Sequence, residues 1–238
     1  MTPYAPPLTD MQFTLNNVIG LESLTRLPGF DAMEASLSDQ ILEEAGKFSS
    51  NVLAPLNFEG DRKGAKIENG VVRPADGFGE AYNQWASAGW NSVPFDQVYG
   101  GQGLPWTLTT AIWEMWESSN MAFSLCPLLT QAAIDALDRH GSEEQKSIYL
   151  EKLVSGEWTG TMNLTEPQSG TDLGAIRTSS IRDGDRYLIK GQKIYITWGD
   201  HDMTDNIVHL VLARSPDGPP GTRGLSLFIV PKFLVNSD

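Results

Sequence analysis

Apolar residues in the first part of the chain recur every three or four positions, a spacing that places side chains on one face of an α-helix. The clearest such stripe consists of Leu37, Ile41, Ala45, Phe48 and Val52. It predicts a helix over about residues 38–54. We expect this helix to end there, because Pro55 disfavours helical geometry in the residue before it. Two more amphipathic helices are predicted, over residues 77–88 and from residue 107 through Trp116.

The best-defined helix signals flank residues 142–155. Ser142 and Gln145 form the S-x-x-Q pattern of a capping box, and Gly156 stands where a helix commonly ends. Upstream, residues 99–105 contain three glycines, which tolerate positive φ and close backbone approach, so we predict a tight loop. The loop lacks the spacing of a dinucleotide-binding fingerprint. A plain turn is favoured there over direct contact with a ligand.

The pattern changes near residue 157, where short runs of β-branched and aromatic residues replace the helical spacing. The predicted strand segments are residues 158–164, 186–190 joined through Gly191 to 194–197, 207–213 and 225–230, with a loop at 217–221. The dipeptide Asp183-Gly184 is a hairpin signal. We therefore predict an α+β protein, with an all-α domain over residues 1–157 and part of a β domain over residues 158–238.

Composition narrows the range of partners. The 238 residues include 17 Lys and Arg against 30 Asp and Glu, a net charge of −13, which repels polyanions and argues against nucleic acid or an anionic membrane as the main partner. No apolar run approaches the ~20 residues that cross a bilayer, and no secretory signal is recognisable. Cys126 is the single cysteine; we expect it to be buried in a protein of a reducing compartment, the cytoplasm.

Candidate chemistry is concentrated in residues 162–173. Pro167 favours an extended Glu166, and Gly170 permits the turn that follows. Hydroxyl groups are contributed by Thr165, Ser169 and Thr171. Such a turn can bind a pyrophosphate or the edge of a flavin ring through N–H and O–H donors. A hydroxyl-rich junction of strand and loop also commonly bonds only its own backbone, so the residues by themselves leave both interpretations open.

Two further polar features have simpler interpretations. Basic residues outnumber acids over residues 176–193. A phosphate-bearing ligand could bind there, but a solvated strand face explains the same charges and is favoured. His201, Asp202 and Asp205 share one loop, and we expect them to bond to one another and not to hold a metal ion.

Two ordered motifs resemble those of the acyl-CoA dehydrogenase family. Residues 165–172 are similar to its T-E-P-x-x-G-[ST]-D motif, and residues 191–197 are similar to the G-x-K-x-[WYF]-I-[TS] part of its second motif. The similarity extends through residues 141–145, 153–158 and 224–231. The N-terminal extension and residues 199–210 resemble a longer bacterial branch of the family.

The resemblance implies a helical N-terminal domain, the first part of a β-barrel-like middle domain, and a C-terminal helical bundle outside these residues. It also implies FAD as cofactor. Met162, Leu164 and Thr165 would line the pyrimidine edge, and Thr171 would bond the pyrophosphate. The second motif would contribute Tyr195 on the ring face away from substrate, Thr197 near N5, and Ile196 as a further cofactor-binding residue. Met162 and Trp198 depart from the residues that many members carry at these positions.

The implied reaction is α,β-dehydrogenation of an acyl-CoA. Its base would be a glutamate beyond Asp238, the electron acceptor an electron-transfer flavoprotein, and the assembly a homodimer or homotetramer. Two alternatives stay open: a non-catalytic acyl-CoA-binding, flavin-binding or assembly module, and an acyl-CoA oxidase-like relative that uses oxygen.

Overall fold

The structure, a computed structural model, describes residues 3–30 and 35–236. Its α-helices are α1 (Leu8–Phe13), α2 (Ala35–Phe48), α3 (Ala54–Lys63), α4 (Phe78–Ser87), α5 (Trp106–His140) and α6 (Glu143–Ser155). Short 3-10 and π-helical turns link them. The strands are β1 (Lys66–Glu68), β2 (Val71–Arg73), β3 (Trp158–Asn163), β4 (Ser179–Asp183), β5 (Arg186–Lys190), β6 (Asn206–Arg214) and β7 (Leu225–Pro231). The α+β class is confirmed, with the small β1–β2 hairpin as an addition to the helical part.

The chain does not leave helical geometry at Pro55, which corrects one expectation. A π-helical turn over Ser49–Leu53 follows α2, and α3 then begins at Ala54. Pro55 therefore lies in the first turn of α3, where its missing N–H removes no intrahelical bond. The proline marks the start of a new helix and not the end of the helical segment.

Helix α5 is longer than the predicted stripe and consists of two helical halves that meet at Asn120. This residue is fully buried and has non-helical angles, φ −157° and ψ 85°. Its Nδ2 donates to Leu53 O at 3.1 Å, and its Oδ1 accepts from Phe123 N at 3.1 Å. Asn120 thus acts as an N-cap for the second half of α5, and the apolar periodicity gave no sign of this break.

Both local signals around α6 are confirmed. The Ser142 hydroxyl accepts from Gln145 N at 3.2 Å, Gln145 Oε1 accepts from Ser142 N at 2.9 Å, and Gly156 has φ 81°. Residues 99–105 form the predicted tight loop. Their amides bond mainly to nearby carbonyls, for example Gly103 N to Phe95 O at 2.8 Å, which supports the plain-turn interpretation.

Strand β6 organises a five-stranded sheet. It pairs in parallel with β3, meets β4 in parallel at Arg214, and pairs antiparallel with β7, while β4 and β5 form the predicted hairpin. The predicted strand over residues 194–197 is wrong. Tyr195 and Trp198 have φ of 56° and 51°, so this segment is an irregular loop.

The helices enclose an aromatic-rich core around α4 and α5. Its fully buried side chains include Leu42, Leu53, Trp85, Ile112 and Trp116. Cys126 is buried as expected, and burial raises the pKa of its thiol. Among the described residues, no helix is both long and apolar enough to span a membrane.

The sheet packs on α5 at a position where glycine permits an unusually close approach. A Cβ on Gly160 of β3 would lie 2.6 Å from Ala133 Cβ. The Gly160 amide also donates to Thr130 Oγ1 of α5 at 3.0 Å. This close contact fixes β3, which leads directly into residues 164–172, against the helical part of the protein.

Replacing Gly160 with alanine is expected to lower the free energy of unfolding by about 1–3 kcal/mol, because the added methyl group overpacks the contact with α5. Urea denaturation followed by circular dichroism measures this change. Gly79→Ala is the matched control, since a Cβ there meets no atom within 4 Å and alanine favours the α4 helix. Equal effects of the two substitutions would contradict the prediction.

Candidate functional site

Two loops meet at the end of β3, and together they contain both sequence motifs. The first is residues 164–172 and the second is residues 191–199. Ile194 N donates to Thr165 O at 3.0 Å, and Thr161 Oγ1 donates to Thr197 O at 2.8 Å. We call these two segments the first and second motif loops.

A buried ion pair joins the motif loops. Glu166 is 3% exposed, and its Oε1 accepts from Lys193 Nζ at 2.9 Å. The same ammonium group donates to Leu164 O at 3.0 Å. Lys193 is itself 9% exposed, so the pair is shielded from solvent. A buried charge pair needs further hydrogen bonds to be stable.

Three other donors complete the surroundings of the Glu166 carboxylate. They are Arg177 N at 2.7 Å, Thr178 N at 2.9 Å and Gln168 Nε2 at 2.6 Å. Burial raises the pKa of Glu166, but hydrogen bonds from Thr178, Arg177 and Lys193 favour the charged form more strongly and hold the pKa at about 2. Glu166 is therefore a structural anion and is unsuited to accept a proton near neutral pH.

The first motif loop folds through its own polar groups. Glu166 and Ser169 exchange backbone hydrogen bonds of 2.7 and 3.0 Å across Pro167 and Gln168. The Ser169 hydroxyl donates to Asp172 O. Ser169 thus caps its own backbone, as one of the two interpretations of this turn proposed.

The second motif loop depends on Gly191. A Cβ there would lie 2.1 Å from Thr178 Oγ1 and 2.7 Å from Thr178 Cα. The absence of a side chain lets this loop approach the backbone that holds Glu166. Steric crowding therefore explains why the motif has a glycine at this position. Lys193 follows two residues later, and its side chain reaches the Glu166 carboxylate.

Residues 195–197 of the second motif loop present an exposed ring and unbonded backbone N–H groups. Tyr195 is 88% exposed although its ring is large and partly apolar. In the described part of the chain, the N–H groups of Thr165, Ile196 and Thr197 bond to no other group. An exposed aromatic face beside several free backbone donors can bind a planar, hydrogen-bonding ring.

All seven predicted site residues lie on these adjoining loops and on the strand end before them. They are Met162, Leu164, Thr165, Thr171, Tyr195, Ile196 and Thr197. Met162 is the second-last residue of β3, and its side chain is 36% exposed. Thr171 is exposed but lies at the far end of the first motif loop. The role of each residue in cofactor binding stays a prediction.

The pairing of Glu166 with Lys193 was not predicted from the sequence, although both residues belong to the two motifs. The only available signal was the presence of two opposite charges in otherwise apolar or hydroxyl-rich segments. Among the basic residues of 176–193, Arg182 and Arg186 bond within the β4–β5 turn, to Gly184 O at 3.2 Å and Asp183 Oδ2 at 3.1 Å. This contact pattern agrees with a solvated strand face for that hairpin.

The polar loop after the second motif differs from the expectation that its members bond to one another. His201 is 1% exposed and its Nε2 lies 3.0 Å from Thr159 Oγ1, while its Nδ1 accepts from Met203 N at 3.2 Å. Asp202 instead pairs with Arg73 of β2. Burial, and then the charge of Lys232, lower the pKa of His201 to about 4. Within residues 3–30 and 35–236, no group of three or more His, Cys, Asp or Glu could hold a metal ion.

Comparisons with known proteins agree with the motifs. Residues 37–157 match the family described as "Acyl-CoA dehydrogenase, N-terminal domain", and residues 161–236 match "Acyl-CoA dehydrogenase, middle domain". The chain is 46% identical over 233 residues to 3-methylmercaptopropionyl-CoA dehydrogenase of Ruegeria pomeroyi. This alignment covers 98% of this chain and 40% of that protein.

Other relatives show the same partial coverage. The chain is 36% identical over 242 residues to a butyryl-CoA dehydrogenase of Syntrophomonas wolfei, covering 99% of this chain and 39% of that protein. The solved structure of butyryl-CoA dehydrogenase from Megasphaera elsdenii aligns with a TM-score of 0.69 and 26% identity, over 82% of this chain and 48% of that one. The chain thus spans less than half the length of these relatives.

Proposed function

Since this chain belongs to the acyl-CoA dehydrogenase family, with its N-terminal domain in residues 37–157 and its middle domain in residues 161–236, we propose that it forms the flavin-binding part of an acyl-CoA dehydrogenase. The reaction is the oxidation of an acyl-CoA thioester to the trans-2-enoyl-CoA. The observation that carries this proposal is the joining of both motif loops into one surface by the Glu166–Lys193 ion pair.

The residues present fit FAD. The free N–H groups of Thr165, Ile196 and Thr197 are suited to the carbonyl and nitrogen acceptors of the flavin pyrimidine edge. Exposed Tyr195 offers an aromatic face for stacking on the ring. When bound, FAD supplies the acceptor for the hydride that leaves the substrate. Backbone donors at the pyrimidine edge would stabilise the negative charge of the reduced ring.

The proposal assigns no catalytic base to the described residues. Glu166, which belongs to the first motif loop and contacts the second through Lys193, already accepts four hydrogen bonds and has a pKa of about 2. A base for the substrate α-proton needs a pKa nearer the working pH and an accessible carboxylate. The base is therefore placed in the part of the family's enzymes that this chain does not match.

Similarity to named relatives suggests a substrate and a biological setting. The substrate is proposed to be 3-methylmercaptopropionyl-CoA, because the relative with 46% identity carries that name. The proposed acceptor is an electron-transfer flavoprotein, and the proposed assembly is a homodimer or homotetramer in the cytoplasm. The single buried cysteine agrees with a reducing compartment.

The test uses the full-length protein purified from its natural reading frame. Its visible spectrum is recorded, and acyl-CoA is then added without oxygen. We expect a bound flavin that 3-methylmercaptopropionyl-CoA bleaches faster than butyryl-CoA. Folded protein that cannot be loaded with flavin would contradict the proposal. Bleaching followed by rapid peroxide formation in air would favour the oxidase-like alternative.

A further inference from the structure

Trp198 connects the second motif loop to the helical part of the protein. Its Nε1 donates to Ala122 O at 2.9 Å, across 76 residues of sequence. Its ring stacks on Phe78 with a centroid distance of 6.2 Å and an interplanar angle of 26°. The side chain therefore makes a directional hydrogen bond and a broad apolar contact with the same neighbouring surface.

The surface under Trp198 is formed by well-packed residues of two helices. Phe78 is the first residue of α4 and is 3% exposed, and it packs edge-on against Phe123 of α5 at 5.8 Å. Ala122 lies two residues after the break in α5, where Asn120 caps the second helical half. Trp198 thus contacts two helices at a point that several buried groups hold in place.

The loop that Trp198 holds is conformationally strained. Tyr195 and Trp198 both have positive φ, which costs side-chain-bearing residues about 1–2 kcal/mol each. The hydrogen bond from Ile194 N to Thr165 O fixes one end of this stretch. The contacts of Trp198, together with the hydrogen bond from Thr161 Oγ1 to Thr197 O, fix the other end, so the exposed ring and the free amides between the two ends keep one arrangement.

We propose that Trp198 is a positioning residue for the cofactor, which holds Tyr195, Ile196 and Thr197 against the helical part in the conformation that receives the flavin ring. This inference rests on the proposed function for the identity of the ligand. Its physical basis is preorganisation, because a loop already held in the bound conformation loses less entropy when the ligand binds.

The test compares Trp198→Phe with wild type in the full-length protein. Phenylalanine keeps an aromatic contact with Phe78 but removes the donor to Ala122 O. The matched control is Trp106→Phe, since Trp106 is 45% exposed and contacts Phe95 at the start of α5. The measurements are FAD affinity, the visible circular dichroism of bound FAD, and amide hydrogen exchange of Ile194 and Gly199.

We expect Trp198→Phe to weaken FAD binding and to speed exchange of these two amides, each about tenfold. The circular dichroism of bound FAD should change, while Trp106→Phe should resemble wild type in all three measurements. Both variants should melt within a few degrees of wild type, which shows that they fold. A change in melting temperature without any change in affinity or flavin circular dichroism would overturn the proposal, because Trp198 would then be structural only.

Amide exchange separates this inference from the proposed function. Unchanged exchange at Ile194 and Gly199 in Trp198→Phe would overturn the anchoring role, whether or not the protein binds flavin. A wild-type protein that binds no flavin, but whose exchange responds to Trp198→Phe, would contradict the proposed function and would confine Trp198 to ordering the loop.

Discussion

Replacing Glu166 with glutamine is expected to lower the free energy of unfolding by about 3–5 kcal/mol, the range found when one partner of a buried ion pair is removed. The neutral amide would leave the Lys193 ammonium group, 9% exposed, without its counter-charge. The amide would also accept weaker hydrogen bonds from Arg177 N and Thr178 N than the carboxylate does. Since these contacts join both motif loops, we expect FAD affinity to fall by more than tenfold. Urea denaturation and flavin titration measure the two effects.

Glu157→Gln is the matched control for this substitution. Glu157 also pairs with a lysine, Lys152, at 2.6 Å, but both side chains are about half exposed. An exposed pair of this kind contributes less than about 1 kcal/mol. The double variant Glu166→Gln/Lys193→Met should recover part of the lost stability, because it removes the unpaired buried charge. Equal losses for Glu166→Gln and Glu157→Gln would contradict the assigned role of the buried pair.

Acidification is expected to destabilise the fold in two separate steps. The pKa of His201 is about 4, below its ordinary value of 6.5, because burial and Lys232 oppose protonation. The unfolded chain therefore binds a proton that the folded protein excludes, and stability falls as the pH drops from 6.5 towards 4. Between about pH 7.5 and pH 5 this group removes about 2 kcal/mol.

Glu166 produces the second step at lower pH. Its folded pKa of about 2 lies below the ordinary value of 4.5, so its contribution is fully present above pH 4.5 and is lost as the pH falls towards 2. Between about pH 5 and pH 3 the loss is about 2 kcal/mol. The free energy of unfolding, measured by urea titration across this range, should show both declines.

Variants assign each decline to its residue. His201→Gln should reduce the decline between about pH 7.5 and pH 5, where the remainder comes from His209, whose pKa burial also lowers, and should leave the lower decline unchanged. Glu166→Gln should flatten the decline at lower pH and should leave the decline between about pH 7.5 and pH 5 unchanged. A wild-type stability that is constant from neutral pH to about pH 5 would contradict the neutral, buried state of His201.

Local signals predicted much of this fold from sequence. The capping box at Ser142 and the hairpin dipeptide Asp183-Gly184 each act within a few residues, and both were confirmed. The amphipathic stripe before Pro55 also predicted α2. Its assumed end was wrong because proline is compatible with the first turn of a following helix. Proline can thus mark either the end of one helix or the first turn of the next.

Long-range contacts account for what sequence could not predict. The run Ile194-Tyr195-Ile196 has the composition of a strand, yet tertiary contacts hold Tyr195 and Trp198 at positive φ. Tertiary context overrides β-propensity in this way. The partner of Lys193 lies 27 residues away and the acceptor of Trp198 lies 76 residues away. No periodicity or spacing links such positions, so the motif residues could be named while the contacts that arrange them could not.

The central claim is that FAD binds against the two motif loops, and amide hydrogen exchange with and without FAD tests it most directly. In the full-length protein, saturating FAD is predicted to slow exchange at Thr165, Ile196 and Thr197 by at least about tenfold. The loop over residues 99–105, whose amides bond largely to nearby backbone carbonyls, should not change. Bound FAD that leaves these three amides unprotected, or that protects residues 99–105 instead, would contradict the claim.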